Sequence, residues 1–371
     1  MINKKIAVFL NDYTEKKSGG VATILEIIRH SPEKNIIVLT SKMGQQLLRQ
    51  EKIKNRCLIT TDENGIENVF LLYLKRLIKV FFVIPKLKNK DIFLASSDFF
   101  PNTIPIWVIK LFSPEKIWVQ HIFHLIPKNR KVSFWSQRLS LKLIKNRADL
   151  IIVDNNLLKK ELVKKGFLPV KIVVNHLGVN HQHFEKIKST RIKYQGIFLG
   201  RLHQAKGVFD LIKIWQGVVG KIHQAKLIIV GHGPRLLVEK IQKDINQKGL
   251  GNNIVFTGHL NSQQAFRKLA QSLVLVFPSH EEGFGLAPIE AQACSKPVVA
   301  WNLPVFKEVF PKGMIRVPIG KNRLFAKQVI NLLQNKEYYQ KIARQAKENS
   351  LKYSWQRTAQ REWQTIEKII N

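Results

Sequence analysis

Two carboxylates, Glu282 and Glu290, stand eight residues apart in EEGFGLAPIE (281–290), in a chain that carries 61 Lys and Arg against 26 Asp and Glu. Paired carboxylates often work as acid and base. Eight residues of helix, however, separate two groups by about 12 Å of rise, beyond the roughly 5–9.5 Å at which glycosidase carboxylates cooperate. The spacing therefore predicts two contacts to different parts of one extended ligand. Between the acids, Gly283 and Gly285 let backbone N–H groups approach a ligand without side-chain obstruction, and a helix beginning near Gly285 favours an anion at its N-terminus. The plainer alternative is Glu282 complementing a helix dipole and Glu290 as an ordinary helical residue.

Three further loops carry chemistry-bearing residues. In FLGRLHQAKG (198–207) a strand ends at Gly200 and delivers Arg201, with Lys206 and Gly207 following. An Arg fork and a Lys ammonium at the mouth of a sheet suit a diphosphate, whose oxygens gain charge when a bond to phosphate breaks; the alternative is two solvated cations among 61. Gly19-Gly20 forms a turn ahead of a helix. In VQHIFHLIP (119–127), His121 and His124 follow a strand end, without the carboxylate spacing of a metal site.

These loops need a scaffold. Apolar strand-like runs alternate with helix-length amphipathic segments along nearly all 371 residues, the pattern of βαβ units around parallel sheets. KIAVFLN, NIIVLTS, DIFLASS, KIWVQH and DLIIVDN read as strands of a first half. YQGIFLGR, AKLIIVGHG, NIVFTG, LVLVFPS and KPVVAWN read as strands of a second. A polar stretch at 180–193 marks the seam, giving domains 1–188 and 189–352 and a closing amphipathic helix at 353–371, with Trp355, Ala359, Trp363, Ile366 and Ile370 near helical spacing.

Composition restricts the setting. Cys57 and Cys294 lie far apart without metal-site spacing, which predicts a reducing, cytoplasmic environment. Ile6–Leu10 is too short for a signal-peptide core and reads as a strand; Val69–Ile84 is interrupted by Lys75, Arg76 and Lys79, so no membrane span is expected. The net charge of +35 is spread evenly, with 33 basic and 15 acidic groups in 1–188 and 28 and 11 in 189–371. Two stretches without acids stand out, 75–90 with six basic groups and 128–147 with seven. The first interleaves its cations with Leu77, Ile78, Val80, Phe81 and Phe82, as a helix lying in a lipid interface does, or equally a solvated basic face over a buried apolar one.

Taken in order, the loops resemble the retaining glycosyltransferases of family four (glycosyl transferases group 1), which have the GT-B fold: two doubly wound Rossmann-like domains facing a cleft. FLGRLHQAKG is similar to the family's strand-Gly-Arg-loop-Lys-Gly element, LIIVGHGP to its Gly-x-Gly turn through Gly231 and Gly233, and PSHEEGFGLAPIEAQA to its E-x7-E signature through Glu282 and Glu290. Gly19-Gly20 and ADLIIVDNNLLKKELVKKGF with VVNHLGVNHQHF add to the likeness in the N-terminal half.

The resemblance implies a nucleotide-diphosphate sugar donor bound by the C-terminal domain. Arg201 and Lys206 hold the diphosphate, and the segment Gly283-Phe284-Gly285-Leu286 approaches the donor, with backbone N–H groups from Gly285 and Leu286. Glu282 takes sugar hydroxyls and Glu290 the ribose. It also implies no metal cofactor, since cations and a helix N-terminus replace a divalent ion, and no protein nucleophile. A glycan or lipid-linked acceptor enters from the N-terminal domain, near His121, slightly favoured at the strand end, or His124. The expected setting is cell-envelope polysaccharide or glycolipid synthesis in the cytoplasm, peripheral on the inner face of an anionic membrane, with no nucleic-acid partner. The sequence departs from the family at Ser295, where Gly is usual, and in NLPVFKEV, where Glu308 keeps the acid of a Gly-Gly-x-x-Glu-like loop. The competing reading is a non-catalytic GT-B scaffold that binds nucleic acid or anionic membrane. Such a scaffold could dispense with Arg201, Lys206 and Glu282, whereas all three are present.

Overall fold

The computed structural model describes residues 4–12, 18–33, 35–62, 68–128, 130–185, 187 and 191–370. The chain divides into two compact units, Met1–Gly178 with Trp355–Asn371, and Val179–Ser354. The boundary thus falls ten residues before the division at 188 read from the polar seam, and the closing helix lies in the first unit.

The first unit holds a seven-stranded sheet of β1 (Ile6–Leu10), β2 (Ile36–Thr40), β3 (Arg56–Ile59), β4 (Ile92–Ala95), β5 (Ile117–Ile122), β6 (Leu150–Val153) and β7 (Ile172–Val174), in the order β3-β2-β1-β4-β5-β6-β7. Every pairing is parallel. Helices cover both faces, so the central strands are buried on both sides and read as continuous apolar runs such as IAVFL. One face packs on the helix Gly19–Arg29 and on the closing helix Trp355–Ile370, whose Ala359, Trp363 and Ile366 enter the core. Trp363 Nε1 donates to the Ile27 carbonyl at 3.1 Å. The other face packs on the helices Val69–Phe81, Phe100–Phe112 and Lys131–Arg147, which contribute Val80, Ile106, Leu141 and Ile144 to a second core.

The second unit repeats the plan with β8 (Tyr194–Leu199), β9 (Leu227–Val230), β10 (Ile254–Gly258), β11 (Ser272–Phe277), β12 (Val298–Trp301) and β13 (Met314–Val317), ordered β10-β9-β8-β11-β12-β13 and again all parallel. In both sheets the order reverses beside the first strand, between β1 and β4 and between β8 and β11. Loops leaving the carboxyl ends of two such strands diverge to opposite faces and leave a crevice for a ligand. Both units are thus doubly wound α/β halves, as the alternation of strands and helices predicts.

The strands that sequence reasoning passed over are β3, β7 and β13, all at sheet edges. An edge strand is paired on one side only and is partly exposed, so it lacks the unbroken apolar run that marks a central strand. Among the described residues no helix is long and apolar enough to cross a membrane.

The basic stretch 75–90 is not uniformly solvated. Arg76 is fully buried, with NH1 donating to the Asn11 carbonyl at 2.9 Å and NH2 to Ser41 Oγ at 3.1 Å. Lys90 is buried as well, and that burial, together with Lys5 and Arg56, lowers its pKa. Lys75, Lys79, Lys86 and Lys88 are the exposed cations of this stretch.

Candidate functional site

β8 and β11 are hydrogen-bonded neighbours, with Leu275 opposite Ile197, so the loops that follow them emerge side by side although they lie some 76 residues apart in sequence. The β8 loop turns at Gly200, presents an exposed Arg201 and tightens into a short 3-10 turn, Gln204–Lys206. Gly207 then adopts a left-handed conformation with φ 67°, and a Cβ there would lie 1.8 Å from the Pro278 carbonyl oxygen. Only glycine permits this approach, and it brings the two loops into contact.

That contact is polar. Lys206 Nζ lies 2.6 Å from Glu282 Oε1 and donates to the Glu281 carbonyl at 3.3 Å. The His280 amide donates to the Ala205 carbonyl at 2.8 Å, and His280 Nε2 sits 2.7 Å from Asp210 Oδ2 at the start of the next helix. The β9 loop joins from the other side, where the Leu202 amide donates to the His232 carbonyl at 2.7 Å, between Gly231 and Gly233.

The helix Leu286–Ala293 starts here, with Gly285 as its N-cap at φ 105° and so no capping side chain of its own. A helix N-terminus gives the crevice a positive edge. Phe284 is buried, its ring 5.5 Å from that of Tyr353 and 6.5 Å from that of Phe310, and this packing holds the glycine loop in place. Glu290 lies in the second turn of the helix and is partly exposed, so the two acids do occupy separate positions, one in the loop and one on the helix.

Ser295 follows the end of this helix at φ 56°. Its amide donates to Gln292 O and that of Lys296 to Ala291 O, both at 2.9 Å, which is the Schellman pattern that normally employs glycine at this point. The family's usual glycine thus has a backbone reason, and this chain meets the same geometry with a serine. In the NLPVFKEV segment the helix Pro304–Val309 places Phe306 and Phe310 beside Gly285, and Glu308 is partly exposed on it.

In the first unit the Gly19-Gly20 turn starts the helix Gly19–Arg29, whose N-cap Ser18 accepts from the Val21 amide. A Cβ on Gly20 would lie 2.7 Å from Phe123, and the Phe123 ring stacks on His121 with centroids 5.8 Å apart. The glycine turn and the HIFH segment therefore converge. The two histidines separate clearly. His121 belongs to β5, is 1% exposed, contacts Ala95 O through Nδ1 at 3.2 Å and has Nε2 3.0 Å from Glu362 Oε1 on the closing helix. His124 lies beyond the strand and is exposed. His121, favoured slightly for its place at the strand end, is therefore enclosed by β4 and the closing helix, whereas His124 stands on the loop that follows.

Residues that sequence reasoning missed lie at the β1/β4 switch point. Asp12 Oδ1 accepts from Ser96 Oγ at 3.1 Å and Asn102 Nδ2 at 2.9 Å, while Asn102 Oδ1 accepts from the Asn11 amide at 2.8 Å. Asp98 is buried, accepts from Gln137 Nε2 at 2.6 Å, and has its pKa pushed up to about 6 by burial, partly offset by that hydrogen bond. Gln137 also accepts from the Ile126 amide and donates to the His124 carbonyl, so it fixes the loop bearing His124. The signal was present as polar clusters, ND after β1 and SSD after β4; what was absent was the strand order that joins them. Among the described residues no group of three or more His, Cys, Asp or Glu is placed to hold a metal ion. Cys57 and Cys294 are free, and burial pushes the Cys294 thiol up to about 12.

Residues 180–349 match the family described as Glycosyl transferases group 1. Over 81% of this chain and 82% of its own length, an uncharacterized 41.2 kDa protein in the cps region of Klebsiella pneumoniae is 24% identical. A Bacillus subtilis poly(glycerol-phosphate) alpha-glucosyltransferase is 30% identical over 166 residues, which are 44% of this chain and 24% of that protein. The crystal structure of Anabaena HepE in complex with UDP-glucose superimposes with a TM-score of 0.82, covering 99% of this chain and all of that one at 18% identity.

Proposed function

We propose, on the premise that residues 180–349 belong to glycosyl transferases group 1, that this chain transfers a sugar with retention of configuration, and without a metal, from a nucleotide-diphosphate sugar to a glycan or lipid-linked acceptor of the cell envelope. The observation that carries the reading is the Lys206–Glu282 contact of 2.6 Å at the β8/β11 switch point, beside an exposed Arg201 and a helix N-terminus. Cations and a helix N-terminus converge there with a carboxylate that can accept from hydroxyls.

In this reading Arg201 and Lys206 grip the diphosphate. As the bond between the anomeric carbon and the phosphate oxygen breaks, they offset the charge gathering on the leaving group. The Gly285 and Leu286 amides bond donor oxygens, Glu282 accepts from sugar hydroxyls while aiming Lys206, and Glu290 accepts from the ribose. The acceptor hydroxyl attacks from the face the diphosphate leaves, which retains configuration without a protein nucleophile, and its proton passes to the departing phosphate oxygen. His124, exposed on a loop braced by Gln137, is the histidine available to the acceptor side. The likeness to a polyol-phosphate glucosyltransferase and to a protein of a cps region supports an envelope acceptor, and the basic surface supports a station on the inner face of the cytoplasmic membrane.

The test is a screen of UDP-, GDP- and ADP-sugars for slow hydrolysis of the donor, with thermal stabilisation by the matching nucleotide. One donor should be hydrolysed, and Lys206→Ala should slow that reaction by about 10²-fold or more. If no nucleotide stabilises the protein at millimolar concentration, the donor site is misassigned.

A further inference from the structure

The helices Val69–Phe81, Phe100–Phe112 and Lys131–Arg147 bury their inner sides in one core against the same sheet face, so their outer sides form one surface of the first unit. Of the 21 large apolar side chains exposed among the described residues, ten lie on these helices or at the residue that ends the first of them. Phe70, Leu74, Ile78 and Phe81 recur at helical spacing and are 39–54% exposed; Phe82 and Phe112 are 74% and 84% exposed. On the third helix Trp135 and Leu139, one turn apart, are 67% and 54% exposed. Side chains of this size ordinarily face a core, and scattered single ones need no explanation. Ten gathered on one helical layer do.

Charge identifies what covers them. Lys75, Lys79, Lys86 and Lys88 are exposed around the first helix, and Arg138 and Lys142 on the third, with the Arg138 guanidinium 5.6 and 5.8 Å from the rings of Phe134 and Trp135. The chain has no acidic residue between Glu67 and Asp91, nor between Glu115 and Asp149. A second copy of this chain would set these cations against themselves in a twofold interface, where like charges repel. A lipid interface accepts both features together, apolar and aromatic side chains entering at headgroup depth and lysines meeting phosphates.

We propose that this three-helix surface is a docking face for an anionic phospholipid bilayer, entered by Phe82, Phe112 and Trp135 and held by Lys75, Lys79, Arg138 and Lys142. The proposal rests on the reading of an envelope acceptor only for its purpose, since a lipid-linked substrate lies where such a face would rest; the surface itself stands on exposure and charge.

The test is co-sedimentation of the full chain with phosphatidylglycerol-containing vesicles and with pure phosphatidylcholine vesicles, at low and physiological salt. Wild type should bind the anionic vesicles at both salt concentrations. Lys75→Gln with Lys79→Gln should weaken binding about fivefold for each cation removed, and Phe82→Ser with Phe112→Ser should abolish binding at physiological salt, where electrostatic attraction is screened. These positions are exposed, so folding should survive. The charge-matched control Lys240→Gln with Lys243→Gln, on the second unit, should bind as wild type. Equal losses from patch and control would reduce the effect to the overall charge and overturn the proposal, as would a soluble dimer that the Phe82/Phe112 variant dissociates. Donor hydrolysis in free solution should be unchanged in the patch variants; vesicle binding without any donor hydrolysis would sink the transferase reading and leave the docking face standing.

Discussion

Removing Lys206, Glu282 or both tests the contact on which the site depends. Lys206 Nζ and Glu282 Oε1 are 2.6 Å apart, with side chains 22% and 10% exposed, so neither is freely solvated. At an effective dielectric of about 20 two charges 4 Å apart attract by about 4 kcal/mol, and desolvation takes back a large part of such an energy. A net coupling of about 1–3 kcal/mol remains. Lys206→Met leaves a carboxylate that is nine-tenths covered without its cation, for a loss of about 3 kcal/mol. Glu282→Gln keeps an oxygen that can accept from Lys206 and should lose only about 1–2 kcal/mol. The double variant should lose less than the sum of the two by the coupling energy. Urea denaturation of the four proteins measures all three differences, and a nucleotide thermal shift on the same set reports the donor site. Losses that add to within about 0.5 kcal/mol would show that the groups do not interact in solution, and the picture of a carboxylate aiming the diphosphate lysine would fail with them.

Other outcomes follow from single geometries. Ser295→Gly relieves a left-handed serine, so it should raise stability by about 0.5–1 kcal/mol, read as a higher melting temperature, with donor hydrolysis unchanged. Asp98 has a folded pKa of about 6 against 3.8 for an ordinary aspartate, so the folded state binds the extra proton between those values. The resulting stability is present below about pH 4 and lost as pH rises through 6, by about 3 kcal/mol. Asp98→Asn should flatten that part of the melting-temperature profile, and an unchanged slope would remove the assignment. His121→Ala strands Glu362 in the core and should destabilise by about 3 kcal/mol in a denaturation experiment; His124→Ala should lower transfer to acceptor more than donor hydrolysis.

The sequence by itself determined the alternation of strands and helices, the two doubly wound halves and the residue types of the loops after β8 and β11. Those features are local: burial on both faces turns a central strand into an apolar run such as LIIV, and a loop meeting an anion needs its glycines and cations in a short stretch. The E-x7-E spacing supplied an expectation of the same local kind, although the helix begins only at Leu286 and Glu282 lies in the loop before it, so helix rise does not by itself set the separation of the two acids. Tertiary structure decided the rest. That Lys206 meets Glu282, that Asp210 meets His280, and that Asp12 and Asn102 share one cluster follow from parallel pairing of β8 with β11 and of β1 with β4, and hydrogen-bond pairing between distant strands leaves no periodic mark in a chain. Burial sorted the histidines and cations in the same manner. His121 and Arg76 look like site and surface residues in sequence, and only the packing of the closing helix over β5 and of the helix Val69–Phe81 over β1 turns them inward.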